Sequence, residues 1–340
     1  MAGIFLFDSD RYRVTGSPTV EFSENMTPIL NEAAKRLENA YDNLEPCPCG
    51  VVEDSTITLT DRHGLAYPLF LCESCGLLRM NPQPSDDELT WYYSNLYRPL
   101  YNQRSNPKEI FENKLWKGEI LDKILSMAGL DRDFSLILDI GCGGGWTLKE
   151  KHDSGQKCVG YDFSEDLIQF GRELGLDLRM GGPEEALKEG IRGDLLIYSH
   201  VLEHVRDPVE ELRKLRLLLE EGGLLYIETP YIGRIGKRLH GDSLCYWQRA
   251  HLWEFQLEHV MYFANRAGLS VVWTHQDDDN CYVICEKGEL DSEGVELPAI
   301  GPRVREQLLA FEKQRLSYIS RLSKAARAGL SFIRRLPSRR

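Results

Sequence analysis

No stretch of this chain approaches the roughly 20 consecutive apolar residues of a membrane-spanning helix. The first apolar run, in "MAGIFLFDSDRYR", is four residues long and stops at Asp8. A secretion signal needs an apolar core of about 7–15 residues. Both absences point to a cytoplasmic protein. Internal repeats are also absent. Positive charge is scarce over most of the chain. The total is −12, yet residues 303–340 hold eleven Lys/Arg against two Asp/Glu, leaving −21 on the rest. So acidic a body argues against nucleic acid as a partner over a broad surface.

What is present divides into five segments: residues 1–45, 46–107, 108–287, 288–302 and 303–340. The first is an N-terminal extension with a helical pattern from Thr27 to Leu44, capped by Thr27 with Pro28 at the first helical position. The second holds paired cysteines and an aromatic, turn-rich connector. The fourth, "GELDSEGVELPAIGP", is a linker by composition.

Segment 108–287 alternates strand-like and helical patterns. Strand-like runs are "LILDI" (136–140), "CVGYD" (158–162), "LLIYS" (195–199), "LLYIET" (224–229), "SVVWTH" (270–275) and "CYVICE" (281–286). Between the third and fourth lies "DPVEELRKLRLLLEEGG", with Asp207 as cap and Gly222 as stop. Such alternation predicts an α/β, Rossmann-like, doubly wound and mainly parallel sheet. The last two runs are joined only by "QDDDN", too short for a parallel crossover. They predict a hairpin, and hence one antiparallel strand.

The strongest chemical signal is "LILDIGCGGGWTLKE", 136–150. A buried strand ends at Asp139, and the loop Gly141-Cys142-Gly143-Gly144-Gly145 leads into a helix. Glycines let the backbone approach a ligand closely, and a helix N-terminus offers free N–H groups to an anion. Asp162 ends the next strand, 23 positions after Asp139, where a carboxylate grips ribose hydroxyls. A dinucleotide fingerprint wants a small residue at its sixth position, but counting from Gly141 that position is Trp146. This disfavours an NAD-linked oxidoreductase.

The pattern from Asp139 to Gly145 resembles the S-adenosylmethionine loop of class I methyltransferases. "GDLLIYSHVLEHVRDPVEEL", "LLLEEGGLLYIETP" and "HLWEFQLEHVMYFANRAGLSVV" (251–272) resemble later stretches of that family, so the likeness covers about residues 108–287. The resemblance implies a seven-stranded sheet with one antiparallel strand. It also implies that S-adenosylmethionine lies along Asp139, Gly141, Cys142, Gly143 and Gly145. Asp162 would hold its ribose, Phe163 would lie against adenine, and Ser199 and His200 would end the fourth strand beside the methyl. The family often has an Asp after its third strand that pairs with adenine. Here "MGGPEEA" stands there, leaving backbone groups or Glu184 to serve.

"CPCG" (47–50) and "CESCG" (72–76) read as two zinc knuckles built from Cys47, Cys49, Cys72 and Cys75. In a reducing compartment tight cysteine pairs suggest metal more than disulfide. Four thiolates close a tetrahedral structural site, and a glycine after each pair suits the turn. The first pair is C-x-C, one residue shorter than the usual knuckle. Together with "CGLLRMNPQPSDDELTWYYSNLYR", the pairs resemble the N-terminal zinc-ribbon lobe of bacterial methyltransferases of surface-polysaccharide, deoxysugar and secondary-metabolite pathways. That resemblance implies a small-molecule acceptor such as a sugar, a nucleotide-sugar or a biosynthetic intermediate.

Candidate catalytic residues follow the fourth and fifth strands. The insert 231–255 is rich in aromatics, His and Arg. Its His251, at a position resembling one in the family, is the first choice for a general base or acceptor contact. Tyr246 and His240 come next, and His200 lies nearby. Arg234, Lys237 and Arg238 suit a phosphate, or else form a solvated loop. In "HVLEHV", His200 and His204 are four apart, as in a helical metal pair, but a metalloprotease site would read H-E-x-x-H. The family reading makes this stretch the pocket floor, with His204 structural.

From Leu309 to Ile333 apolar residues recur every three or four positions with Lys and Arg between. Such a basic amphipathic tail suits peripheral contact with an anionic inner membrane. Packing on a neighbouring subunit and a free tail are the alternatives, and the oligomeric state stays open. A competing function is a catalytically retired methyltransferase-fold binding module that uses the zinc lobe for a partner. The intact Asp139, Gly141, Gly143 and Asp162 argue against it.

Overall fold

The computed structural model describes residues 4–20, 26–37, 44–97, 99–100, 106–289 and 296–333, with side chains as far as residue 324. Its strands in chain order are β1 (Ile4–Phe5), β2 (Asp54–Thr60), β3 (Ala66–Cys72), β4 (Leu78–Met80), β5 (Ile137–Ile140), β6 (Cys158–Asp162), β7 (Asp177–Met180), β8 (Gly193–Ser199), β9 (Leu219–Pro230), β10 (Trp253–Glu254), β11 (Leu269–Gln276) and β12 (Asn280–Lys287). Seven form a sheet in the order β11-β12-β9-β8-β5-β6-β7. Within it β12 runs antiparallel to β9 and β11, and the other pairs are parallel. This is the doubly wound sheet with one antiparallel strand that the alternation predicts.

The central strands are apolar because helices cover both faces. In β8, Leu195, Leu196, Ile197 and Tyr198 are fully buried. Burying a Leu or Ile side chain contributes roughly 1.5–3 kcal/mol. β7, "DLRM", escaped the periodicity reading. It is an edge strand with exposed Asp177 and Met180, held by parallel pairing to β6.

Asp207 caps the helix Pro208–Leu218, its carboxylate accepting from the N–H groups of Val209 and Glu210. Gly222 does not stop that helix. The chain turns extended at Leu219, and Gly222 lies inside β9 with φ +70°. Nor is Thr27 a cap: the helix Thr27–Arg36 is preceded by Met26 and shows no side-chain cap. The predicted end of that helix crosses residues 38–43, outside the described residues.

A second sheet, β1-β2-β3-β4-β10, draws strands from three of the sequence segments. β10 pairs with β4 and so ties the insert after β9 to the cysteine lobe. The stretch read as a tail begins as part of the body. The helix Gly301–Ile333 buries Val304, Leu308 and Phe311. The Gly301 N–H donates to the Ser74 carbonyl, and the Tyr12 hydroxyl to Glu312 at 2.7 Å. Further along, Leu316, Ile319 and Leu322 are exposed. Of the predicted linker, residues 290–295 lie outside the described residues. No helix among the described residues is long and apolar enough to cross a membrane.

Candidate active site

The glycine loop follows β5 at the carboxyl edge of the large sheet, where open α/β sheets bind ligands. Gly141 and Gly143 have φ of +81° and +56°. A Cβ on Gly143 would run into the Trp146 ring, and one on Gly141 into Val201. The backbone there has no room for side chains. Cys142 is buried, its sulfur packed under Gly160, so only its backbone faces the cleft. Gly145 closes the turn, its N–H donating to the Cys142 carbonyl. Trp146 itself is buried, with the Lys114 ammonium 4.5 Å from its ring centre.

Asp162 is held by two backbone donors. Gly143 N–H donates to Oδ2 and Ser164 N–H to Oδ1, each at 2.8 Å. A carboxylate oxygen can accept a second hydrogen bond, so ligand hydroxyls find an aimed acceptor here. Phe163 is 74% exposed, and its ring lies beside the Gly181-Gly182 turn. Glu184 is ion-paired to Lys214. Asp139 is buried at the strand end. Burial raises its pKa to about 8, Lys117 opposes the rise, and Asp162 and Glu228 add to it. These groups fit a cofactor bearing a ribose: a side-chain-free cradle, a fixed carboxylate and an exposed ring.

Beside this cleft, β8 and β9 bring polar groups together. Lys117 donates to the Ser199 hydroxyl at 3.2 Å, and Ser199 donates to Glu228 at 2.6 Å. His200 has a left-handed φ of +56°, strained for a residue with a side chain. Its N–H donates to the Glu228 carbonyl at 2.8 Å. Its Nε2 lies 3.2 Å from Glu228 Oε1 and its Nδ1 3.6 Å from Glu203 Oε1. Burial and Lys117 push the imidazole pKa down, but Glu228 and Glu203 outweigh them and hold it above 6.5.

Three histidines surround Glu203, which is buried and has no hydrogen-bond partner for either oxygen among the described residues. His204 Nε2 and His251 Nε2 lie 3.8 and 3.9 Å from its Oε1. Burial pushes the Glu203 carboxyl up, but His200, His204 and His251 outweigh it and hold it at about 2. Burial holds His204 down at about 4, so it is neutral near pH 7. His204 Nδ1–H donates to the Ala250 carbonyl at 2.8 Å. His251 is buried, with Nδ1 3.0 Å from Glu254 Oε1 and Nε2 against the Gln248 amide.

The structure thus joins His200, His204 and His251, although His251 lies far along the chain. Tyr246 is buried near Glu254, and burial, with Glu254 next, pushes its phenol well up. His240 instead stacks on Tyr318 of the last helix, ring centres 4.3 Å apart. Arg234, Lys237 and Arg238 pair with Asp278 and Asp279, three cations against two carboxylates. Sequence reasoning missed Lys117, Glu203, Glu228 and Glu254. Glu228 left a signal, an acid inside an apolar strand run. Lys117 left none.

Among the described residues, two groups could hold metal. Cys47, Cys49, Cys72 and Cys75 bring their sulfurs within 4.8 Å of one another, as do the donors of Glu203, His204 and His251. The Cys47–Cys75 and Cys49–Cys72 sulfur pairs are each 3.5 Å apart. Gly50 and Gly76 take the left-handed turns expected after each pair, with φ of +80° and +76°. Behind the cluster, His259 Nε2–H donates to the Cys75 carbonyl at 2.9 Å.

Residues 113–276 match a family model described as a methyltransferase domain. A ubiquinone biosynthesis O-methyltransferase of Parvibaculum lavamentivorans is 30% identical over 151 residues, 41% of this chain and 56% of that protein. One from Coxiella burnetii is 24% identical over 158 residues, 45% of this chain and 65% of that protein. The chain therefore spans less than two thirds of the length of these relatives. Among solved structures, an O-methyltransferase family protein from Burkholderia thailandensis aligns with a TM-score of 0.44 at 16% identity, covering 56% of this chain and 62% of that one. The match to a methyltransferase domain falls on the doubly wound α/β sheet, from β5 to β11.

Proposed function

We propose that the chain is an S-adenosylmethionine-dependent methyltransferase acting on a small-molecule acceptor, a sugar, nucleotide-sugar or other biosynthetic intermediate. The observation that carries this reading is Asp162, its two oxygens fixed by the Gly143 and Ser164 N–H groups beside a side-chain-free loop. Bound there, S-adenosylmethionine supplies a methyl group on a positively charged sulfur. Asp162 binds the ribose hydroxyls, and the exposed Phe163 covers the adenine. Glu228, held at about 2 against burial chiefly by His200, places negative charge near the cofactor's cationic end, and Lys117 offers its ammonium to the carboxylate.

His251 serves as general base. Its Nδ1–H donates to Glu254, which puts the lone pair on Nε2, where it now accepts from the Gln248 amide; an acceptor hydroxyl that displaces that amide gives Nε2 its proton. Glu203, 3.9 Å from that nitrogen, stabilises the imidazolium that results. The relatives' names, both O-methyltransferases, favour a hydroxyl as the methylated group. Cys47, Cys49, Cys72 and Cys75 hold a structural zinc. The exposed later turns of the last helix, with their Lys and Arg, rest on an anionic membrane surface. The test is His251→Ala with radiolabelled cofactor and a panel of hydroxylated acceptors. Turnover should fall at least about 100-fold while cofactor affinity stays near wild type; unchanged turnover removes His251 from the mechanism.

A further inference from the structure

Apart from the glycine loop and the histidine cluster, a cavity of about 460 Å³ opens beside the carboxyl ends of β9 and β11. Its size falls within the roughly 300–1,000 Å³ of small-molecule sites. Tyr231 enters it just after β9, and Gln276 from the end of β11. Gln256 and Glu258 come from the start of the helix Leu257–Arg266. The far wall is Arg303 and Gln307, on the C-terminal helix and outside the methyltransferase domain.

The lining has a definite chemistry. Arg303 pairs with Glu258 at 2.7 Å, so its charge is matched within the wall and is not free for a phosphate. Three side-chain amides remain. Gln307 Nε2 donates to the Tyr231 hydroxyl at 2.9 Å, and Gln276 Oε1 accepts from the Cys281 thiol at 3.5 Å. Gln256 is 2% exposed, and its Nε2 has no partner among the described residues. Behind the lining and not part of it, the fully buried Thr229 hydroxyl also lacks one among the described residues; Thr229 stands opposite Cys281 in the β9–β12 ladder. An unpaired buried donor costs about 1–3 kcal/mol. A ligand that brings hydroxyl oxygens removes that cost. Aliphatic lining is limited to Leu257.

We propose that this cavity binds a neutral, polyhydroxylated ring of the acceptor, and that Gln307 and Arg303 of the C-terminal helix set its specificity. The proposal rests on the methyl-transfer reading and adds the place and chemistry of the acceptor. Amides and a phenol with fixed directions reward a ring with hydroxyls around its rim. A site built from such groups rejects analogues that lack them, because its own donors are then left unpaired.

The test is saturation-transfer NMR on the full chain with S-adenosylhomocysteine present, using methyl α-D-glucopyranoside, catechol and inorganic phosphate as separate probes. Transfer to the pyranoside is expected, at least tenfold weaker binding in Gln307→Leu and Gln256→Leu, and no displacement of the pyranoside by catechol or phosphate. Absence of transfer in the wild-type chain, undiminished transfer in both variants, or displacement by catechol or phosphate would overturn the proposal. Cofactor affinity, measured in parallel, shows that the variants fold. A wild-type chain that binds pyranoside but not cofactor would refute methyl transfer and leave the cavity standing.

Discussion

Replacing Glu203 by Gln keeps the shape of a buried side chain and removes its charge from among three histidines. His200 reads the change directly. Its Nδ1 lies 3.6 Å from Glu203 and its Nε2 3.2 Å from Glu228, with Lys117 opposing both. A single opposite charge at this range shifts a pKa by about 1–3 units. Glu203 is the more distant of the two carboxylates, so the low end applies. The His200 pKa should fall by about one unit, about 1.4 kcal/mol, as read from histidine ring resonances titrated by NMR. Stability carries a second signature. Glu203, held near 2 against an ordinary 4.5, stabilises the fold above pH 4.5 by about 3 kcal/mol, and that contribution is lost as pH falls toward 2. His200, held above 6.5, stabilises fully below 6.5 and loses its contribution as pH rises through the folded value. Both contributions are therefore fully present together from about pH 4.5 to 6.5, and Glu203→Gln should destabilise most in that window. A His200 pKa that does not move, or that rises, would refute the electrostatic reasoning.

Two further outcomes are expected. Metal analysis of the purified chain should find zinc, and Cys72→Ser together with Cys75→Ser should remove the zinc held by the cysteines and lower Tm; retention of all metal would refute the cluster as a zinc site. In vesicle co-sedimentation, the full chain should pellet with phosphatidylglycerol-containing vesicles and a chain ending at Arg315, which keeps the packed turns, should not; equal binding by both forms would refute membrane contact.

The central sheet was readable because strands buried on both faces are continuous apolar runs, and β8 and β12 declare themselves that way. β7 did not, because an edge strand with exposed Asp177 and Met180 carries no such run. The last helix read as a tail because its Arg and Lys dominate the pattern and mask the stripe Val304, Leu308 and Phe311. The glycine loop and Asp162 were visible, since backbone geometry and a strand-end acid leave a local spacing. Glu203, Glu254 and Lys117 were not, and Glu228 left only its place inside an apolar strand run. A buried charge gains meaning only from partners distant in sequence, such as His251 for Glu203 or Ser199 for Lys117. The pair His200 and His204 looked local, yet the arrangement that matters turns on Glu203 between them and on His251 from the insert.

Calorimetric titration with S-adenosylmethionine, on the wild-type chain and on Asp162→Ala, tests the account most directly. The wild type should bind one equivalent. The variant should bind about 10- to 100-fold more weakly, the loss of hydrogen bonds to a charged carboxylate worth about 1.5–3 kcal/mol. No binding by the wild type, or equal affinity in the two proteins, would contradict the assignment of this cleft to the cofactor.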